Sequence, residues 1–237
     1  MSCKEDVAVA SIEKENIPIT DTLQTIKEIE SFIEPYRSHI NKTLDSVLSY
    51  NPVNLTKDDT PLNTALGNWM ADVVYEAVDP IYFKRTGKHI DFVLLNHGGI
   101  RANLNKGAVT ARNAYELMPF ENKISVIELS KEKMLALLDF LISSERAHPL
   151  SKQLTIELDS KGNSKKLILN DIPIDSLNTF HVATSDYLAN LGDQMNFFEK
   201  PLKRTDIDYL IRNIIIDAFK STDTIQASYD NRFIKEK

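Results

Sequence analysis

The chain has 237 residues, of which 42% are hydrophobic and 26% are charged, a composition typical of globular proteins and not of disordered or fibrous ones. Its net charge of -6 at pH 7 argues against nucleic acid as a partner, because nucleic-acid binding needs a basic surface. The sequence has no run of the roughly 20 apolar residues that would cross a bilayer as a helix.

The first 20 residues mix charges with Pro18 and show no sustained hydrophobic period, which predicts a flexible arm. The single cysteine, Cys3, cannot form an intrachain disulfide. The letters CKED resemble the start of a mature bacterial lipoprotein, so Cys3 is a candidate lipidation site. That resemblance implies a periplasmic or cell-surface protein held by a lipid anchor. A cysteine near the terminus by chance is the alternative.

Residues 21–50 carry apolar residues at intervals of three and four, which predicts a long amphipathic helix. Pro35 lies within this pattern and predicts a kink or the start of a second helix. The letters NPVN at 51–54 predict the end of the helix. The apolar positions are Leu23, Ile26, Ile29, Phe32, Ile33, Tyr36, Ile40, Leu44, Val47 and Leu48.

Predicted strands and helices are mixed over the remaining sequence, which indicates an α+β (mixed α/β) fold rather than a helical bundle. Apolar runs and alternating patterns predict strands at 92–96, 124–129 and 179–184, and a hairpin at 153–169. Helical spacing predicts helices at 68–78, 111–117 and 131–141. Thr205 is predicted to cap a final helix that ends at Phe219.

A glycine pair follows the predicted strand at 92–96, in the stretch LLNHGGIRANL. Gly98 and Gly99 are two of only seven glycines in the chain, and bare backbone lets a ligand approach closely. Loops at strand ends are common ligand sites, and the planar guanidinium of Arg101 suits phosphate or carboxylate. The alternative is a tight turn with a solvated arginine.

Two further stretches carry candidate ligand-binding residues. In ELMPFEN, Phe120 follows a proline and is a candidate stacking platform, although packing in the core is the usual role of such a residue. In TSDYLANLGDQM, Tyr187 can present a ring face, and the Asp193 carboxylate can accept two hydrogen bonds from a diol.

Four blocks, in their order along the chain, resemble the C-terminal domain of the 5'-nucleotidase family. They are LGNWMADVV, NHGGIR, MPFEN followed by ISVIELSKEKMLALL, and YLANLGD. The resemblance runs from about Leu62 to Met195 and implies a four-layer α/β/β/α domain over 51–237, preceded by a linker helix over 21–50. In that family this domain recognises the nucleotide, and an N-terminal domain with two metals performs the hydrolysis.

The resemblance implies a role for each matching residue. Phe120 and Tyr187 hold the base between two rings, and Asn96 bonds near the base and sugar. Arg101 meets the phosphate side, and Asp193 accepts the ribose hydroxyls. The bare backbone at Gly98 turns tightly beside the substrate.

The sequence departs from the family at the phosphate side. A family arginine that grips phosphate corresponds to a position near Thr60 in this chain, and the family's NGGDGF is NLGDQM here. The residues for stacking are therefore better preserved than those for phosphate.

A two-metal phosphatase needs a cluster of Asp, His and Asn ligands, and the family's ligand motifs are missing from this sequence. The letters NHGG copy two positions of one such motif, but Gly98 stands where the acid is needed, so His97 is interpreted as a loop residue. No catalytic residue, metal ligand or cofactor is predicted in this chain. Divalent metals are expected in a partner.

Three functions remain open. The first is a nucleotide-recognition domain in nucleotide catabolism that works with a separate metallophosphatase chain, on which the long helix would dock. The second is a non-catalytic nucleoside- or nucleotide-binding surface or periplasmic protein, which the departure at Thr60 favours mildly. The third is an interaction scaffold that has lost ligand binding.

Overall fold

A computed structural model of the chain describes residues 11–20, 22–144 and 146–236. The candidate lipidation site Cys3 and the first half of the predicted arm lie outside these residues. Contacts divide the chain into two compact units, Met1–Lys42 and Thr43–Lys237. The described residues contain no helix that is long and apolar enough to cross a membrane.

Helices and strands both contribute to the fold, as the sequence predicts. The helices are α1 (Lys27–Leu44), α2 (Ala65–Thr86), α3 (Ala111–Leu117), α4 (Lys131–Ser144), α5 (Asp186–Ala189) and α6 (Ile211–Ser221). The strands are β1 (Val47–Asn51), β2 (Phe92–Val93), β3 (Gly107–Thr110), β4 (Lys123–Ser130), β5 (Leu154–Leu158), β6 (Ser164–Leu169), β7 (Ile172–Pro173), β8 (Thr179–Ser185), β9 (Lys203–Leu210) and β10 (Phe233–Lys235).

Helix α1 is continuous through Pro35 and ends at Leu44, six residues before the end of the helix predicted over 21–50. A bidentate pair between Arg37 and Glu30 links two of its turns. None of its residues is buried. Several of its large apolar side chains are more than half exposed, namely Ile29, Phe32, Tyr36 and Ile40.

Val47 and Leu48 were predicted to be helical, but they begin β1. This strand pairs antiparallel with β3, from Val47 opposite Thr110 to Asn51 opposite Gly107. The side chain of Asn51 is buried and donates hydrogen bonds to the backbone carbonyls of Leu104 and Asn105. Pairing with a strand far along the chain therefore overrides the local helical spacing.

The central sheet has the strand order β2-β8-β4-β9 and separates two hydrophobic clusters. Because successive side chains of a strand point to opposite faces, Val126 belongs to the cluster that includes residues of α2, α3 and α6, whereas Ile127 belongs to the cluster that includes residues of α4. The second cluster also includes residues of the sheet with the order β10-β5-β6-β7. This arrangement confirms the predicted α+β class.

The final helix begins later than the sequence predicts, and Thr205 does not cap it. Residues 203–210 form β9, which pairs antiparallel with β4. Asp206 accepts a hydrogen bond from Ser125, and Asp208 pairs with Lys123. The alternation of Asp206, Ile207 and Asp208 has the period of a strand with one buried face. Helix α6 starts only at Ile211.

Candidate functional site

One cavity brings together residues from three separate connections between strands, one of which includes the short helix α5 with Tyr187. Its volume is about 330 Å³. The six candidate binding residues that the sequence singles out all line it, and two more residues complete the wall. The lining is Asn96, Gly98, Gly99, Arg101, Phe120, Asn122, Tyr187 and Asp193.

The pairing of three strands explains why these loops meet. Strand β2 runs parallel to β8, so both end at the same edge of the central sheet. Strand β4 runs antiparallel to β8, with Ile124 opposite Ser185, so β4 starts at that edge. The loops after β2, before β4 and after β8 are therefore neighbours. The cavity lies at the ends of strands, where loops of α/β sheets commonly bind ligands.

Two aromatic rings of the cavity remain accessible. Phe120 has 41% of its surface exposed, and Tyr187 has 46%. The Tyr187 ring packs closely on Gly192, where an added Cβ atom would lie 2.5 Å from the ring. A side chain at position 192 would thus displace the ring, so Gly192 keeps Tyr187 in place.

Asp193 is held by two other residues of the cavity. Its Oδ1 accepts a hydrogen bond from the Tyr187 hydroxyl over 3.0 Å, and its Oδ2 accepts one from Nδ2 of Asn96 over 2.5 Å. Asp193 and the nearby Leu191 and Gln194 have φ values of 51°, 69° and 61°. Non-glycine residues rarely adopt this left-handed conformation, and such strain tends to cluster at ligand-binding sites.

The glycine pair lies in a short 3-10 turn, His97–Gly99, directly beside the cavity. Neither glycine has a left-handed φ, so backbone conformation does not require them. The close approach of Asn96 requires a glycine at position 99, where an added Cβ atom would lie 2.7 Å from Oδ1 of Asn96. Gly98 faces Asp193, whose Oδ2 would lie 3.6 Å from an added Cβ atom.

Arg101 is exposed at the cavity. Its Nη1 donates to the carbonyl of Gly98 over 3.3 Å, and its guanidinium carbon lies 6.0 Å from the centroid of the Phe120 ring. The guanidinium therefore lies between the glycine turn and the first ring, where it can also reach solvent or an anionic ligand.

The region around Thr60 carries charges of both signs. Thr60 lines an open basin of about 570 Å³ together with Lys57, Asp58, Asp59, Pro61, His97, Arg146 and Ala147. His97 pairs with Asp58, its Nε2 lying 2.9 Å from Oδ1. Two acids thus lie among the cations, and the basin is not a strongly positive site.

Two residues of this region were not singled out from the sequence. Asn122 lies in the block MPFEN, and its position two residues after Phe120 is the signal that could have identified it. His148 is buried beneath the glycine turn, where its Nδ1 accepts a hydrogen bond from the His97 backbone over 3.4 Å. Burial, followed by the nearby charge of His97, lowers the pKa of His148 to about 4, so the ring is neutral at pH 7. No local sequence pattern marks such a residue.

Within residues 11–20, 22–144 and 146–236, no group of three or more His, Cys, Asp or Glu side chains is arranged to hold a metal ion. The cavity instead offers two ring faces, side-chain amides, a carboxylate and a guanidinium. This set of groups can stack on a flat heterocycle and exchange hydrogen bonds with its substituents.

Residues 49–200 match the protein family described as "5'-nucleotidase, C-terminal domain". The chain is 22% identical over 235 residues to the trifunctional nucleotide phosphoesterase protein YfkN of Bacillus subtilis, an alignment that covers 91% of this chain and 16% of that protein. It is 26% identical over 208 residues to the cell wall protein Lmo0130 of Listeria monocytogenes, with coverage of 81% and 26%.

A crystal structure of a 5'-nucleotidase precursor from Thermus thermophilus resembles this fold, with a TM-score of 0.69 and 21% sequence identity. The similarity covers 88% of this chain and 42% of that one. The chain thus spans less than half the length of each of these three relatives.

Proposed function

Because the chain belongs to the 5'-nucleotidase C-terminal domain family, we propose that it recognises a nucleotide or nucleoside for a 5'-nucleotidase-type hydrolase in nucleotide catabolism. The observation that supports this most is the meeting of Phe120, Tyr187 and Asp193 in one cavity. Two ring faces suit a base, and a carboxylate beside them suits the ribose diol.

The energetics of such a site favour broad base specificity with selection for ribose. Stacking of a base on an aromatic side chain contributes about 1–3 kcal/mol, whichever base it is. A carboxylate that accepts hydrogen bonds from the ribose hydroxyls is left without those bonds when the ligand has no hydroxyls. Such a ligand therefore binds less tightly. Asn122 and Asn96 add amide groups that can bond the edges of the base and sugar.

Hydrolysis is assigned in this proposal to a separate metallophosphatase chain that supplies the divalent metals. The described residues offer no metal-holding cluster, and a two-metal mechanism needs one. Helix α1 offers a surface on which such a partner could dock. It ends shortly before the segment that matches the family, and it exposes the apolar side chains of Ile29, Phe32, Tyr36 and Ile40. Exposed apolar groups in a row are typical of interaction surfaces.

A non-catalytic nucleoside- or nucleotide-binding protein is the second candidate. The mixed charges around Thr60 favour it, because Asp58 and Asp59 offset Lys57 and Arg146 where the family's phosphate-gripping arginine is missing. A surface or periplasmic location suits both candidates and has the cell-wall relative as its support.

Calorimetric titration with adenosine, AMP, UMP and UDP-glucose tests binding, and a phosphate-release assay of the chain alone in Mn²⁺ or Zn²⁺ tests catalysis. We expect saturable binding and no hydrolysis, with hydrolysis restored by the metallophosphatase. Adenosine binding that AMP does not match supports the second candidate. Hydrolysis by the chain alone removes the two-chain proposal, and a titration that is flat for every ligand removes recognition.

A further inference from the structure

The start of helix α6 holds the loop that carries the first ring. The backbone N–H of Ile211 donates to the carbonyl of Asn122 over 3.0 Å. Nη1 of Arg212 donates to the carbonyl of Pro119 over 3.1 Å and to that of Phe120 over 3.4 Å. Three of the four carbonyls in residues 119–122 are therefore bound by two consecutive residues of α6.

Arg212 is unusually buried for a cation, with 6% of its surface exposed. Its guanidinium carbon lies 4.3 Å from the centroid of the Tyr115 ring, and its Nη2 lies 3.6 Å from Oε1 of the exposed Glu121. Burying an arginine is costly unless its donors are used. Here Nη1 is used on the backbone beside Phe120, and Tyr115 of α3 supports the guanidinium from one face, whereas Nε is buried without a hydrogen-bond partner among the described residues.

We propose that Arg212 is a positioning residue for base recognition, an inference that rests on the proposed function of the cavity. By fixing the carbonyls of Pro119 and Phe120, it sets the direction in which the Phe120 ring enters the cavity. The residue lies outside the matched segment 49–200, so an element beyond that segment completes the site. Both carbonyls are bound by the same nitrogen, Nη1, which the planar guanidinium holds in a fixed place. A lysine keeps the charge but places its ammonium on a flexible stem.

The loop itself gives a readout that needs no ligand. Hydrogen exchange of the peptide that contains residues 120–122 reports how firmly the loop is held. We expect faster exchange in Arg212→Lys than in the unmodified chain. The matched control is Arg232→Lys, because Arg232 is also buried, at 5% exposed, but pairs with Asp72 and Asp230. This control should leave exchange at 120–122 unchanged.

Adenosine affinity in a double-mutant cycle tests the route through the ring. We expect Arg212→Lys to raise Kd by about fivefold or more, and to have little further effect in a Phe120→Leu background. Arg232→Lys should lower Tm and leave Kd unchanged. The proposal is overturned if Arg212→Lys leaves Kd unchanged. It is also overturned if Arg212→Lys weakens adenosine binding as much in the Phe120→Leu background as in the unmodified chain, or if Arg232→Lys weakens binding as much as Arg212→Lys does.

The two proposals fail in different ways. If the unmodified chain binds no nucleoside or nucleotide, the proposed function fails, and the role of Arg212 in base recognition fails with it. If the unmodified chain binds adenosine and exchange at 120–122 is the same in Arg212→Lys, only the positioning role fails.

Discussion

The hydroxyl of Tyr187 donates a hydrogen bond to Oδ1 of Asp193 over 3.0 Å. The ring proposed to stack on the base is thereby tied to the carboxylate proposed to take the ribose. In this chain the orientation of the ring and that of the carboxylate are coupled. Three predictions follow from that coupling, and a fourth follows from the buried His148.

A comparison of Tyr187→Phe with Tyr187→Ala separates the contribution of the hydroxyl to binding from that of the ring. Tyr187→Phe keeps the stacking face and removes only the hydroxyl that bonds the Asp193 carboxylate, so adenosine affinity should fall by no more than about tenfold. Tyr187→Ala removes about 1–3 kcal/mol of stacking and should weaken binding further. Calorimetric titration of both variants measures the difference. Equal losses in the two variants would mean that the ring face does not contact the ligand.

Gly192→Ala should displace the Tyr187 ring, since the new Cβ atom would lie 2.5 Å from it. We expect adenosine binding to fall by about the amount lost in Tyr187→Ala, roughly 1–3 kcal/mol. The control is the same change in a Tyr187→Ala background, where the clash is gone. There Gly192→Ala should alter affinity little, and a large additional loss would show that Gly192 acts by some other route.

Asp193→Asn tests selection for the ribose diol. Hydrogen bonds to a charged group contribute about 1.5–3 kcal/mol, so the preference for adenosine over 2',3'-dideoxyadenosine should fall about tenfold or more in this variant. Asp175→Asn, a change at an exposed carboxylate paired with Lys131, serves as the control and should keep the preference. A preference that survives in Asp193→Asn would place the ribose elsewhere.

His148 should make stability depend on pH. Burial lowers its pKa from 6.5 to about 4 in the folded chain. As pH falls, the unfolded chain binds this proton first, so the stability from the neutral ring is present above about pH 6.5 and is lost toward pH 4. The free energy of unfolding should drop by about 2 kcal/mol from pH 7 to pH 5.

His148→Leu should lose most of this slope, because leucine does not titrate. Urea unfolding of both proteins at the two pH values is the measurement. A slope that is the same in His148→Leu would show that other groups cause the pH dependence.

Six residues of the cavity lining could be named from the sequence because they lie in blocks that together resemble the 5'-nucleotidase C-terminal domain, although each block alone is a weak signal. Asn96, Gly98 and Arg101 are close in the chain, and Phe120, Tyr187 and Asp193 belong to blocks of the same family pattern. The resemblance of these ordered blocks to the family implied that the residues lie together, and the pairing of β2, β8 and β4 supplies the geometric reason.

What the sequence could not provide are contacts made between distant segments. Thr205 reads locally as a helix cap, yet its segment pairs with β4, because burial of Ile207 against the core outweighs the local signal. Val47 likewise lies in β1 rather than in a helix because this strand pairs with β3. Arg212 and His148 each bind a loop that lies far away along the chain. No spacing rule in the sequence therefore marks either residue.

The central claim is that one base lies between Phe120 and Tyr187. A crystal structure of the chain with adenosine bound tests it most directly. The account predicts the adenine ring stacked between the two side chains, with the ribose hydroxyls within hydrogen-bond distance of the Asp193 carboxylate. Adenosine bound at another place on the chain, or in this cavity with its base away from both rings, would contradict it.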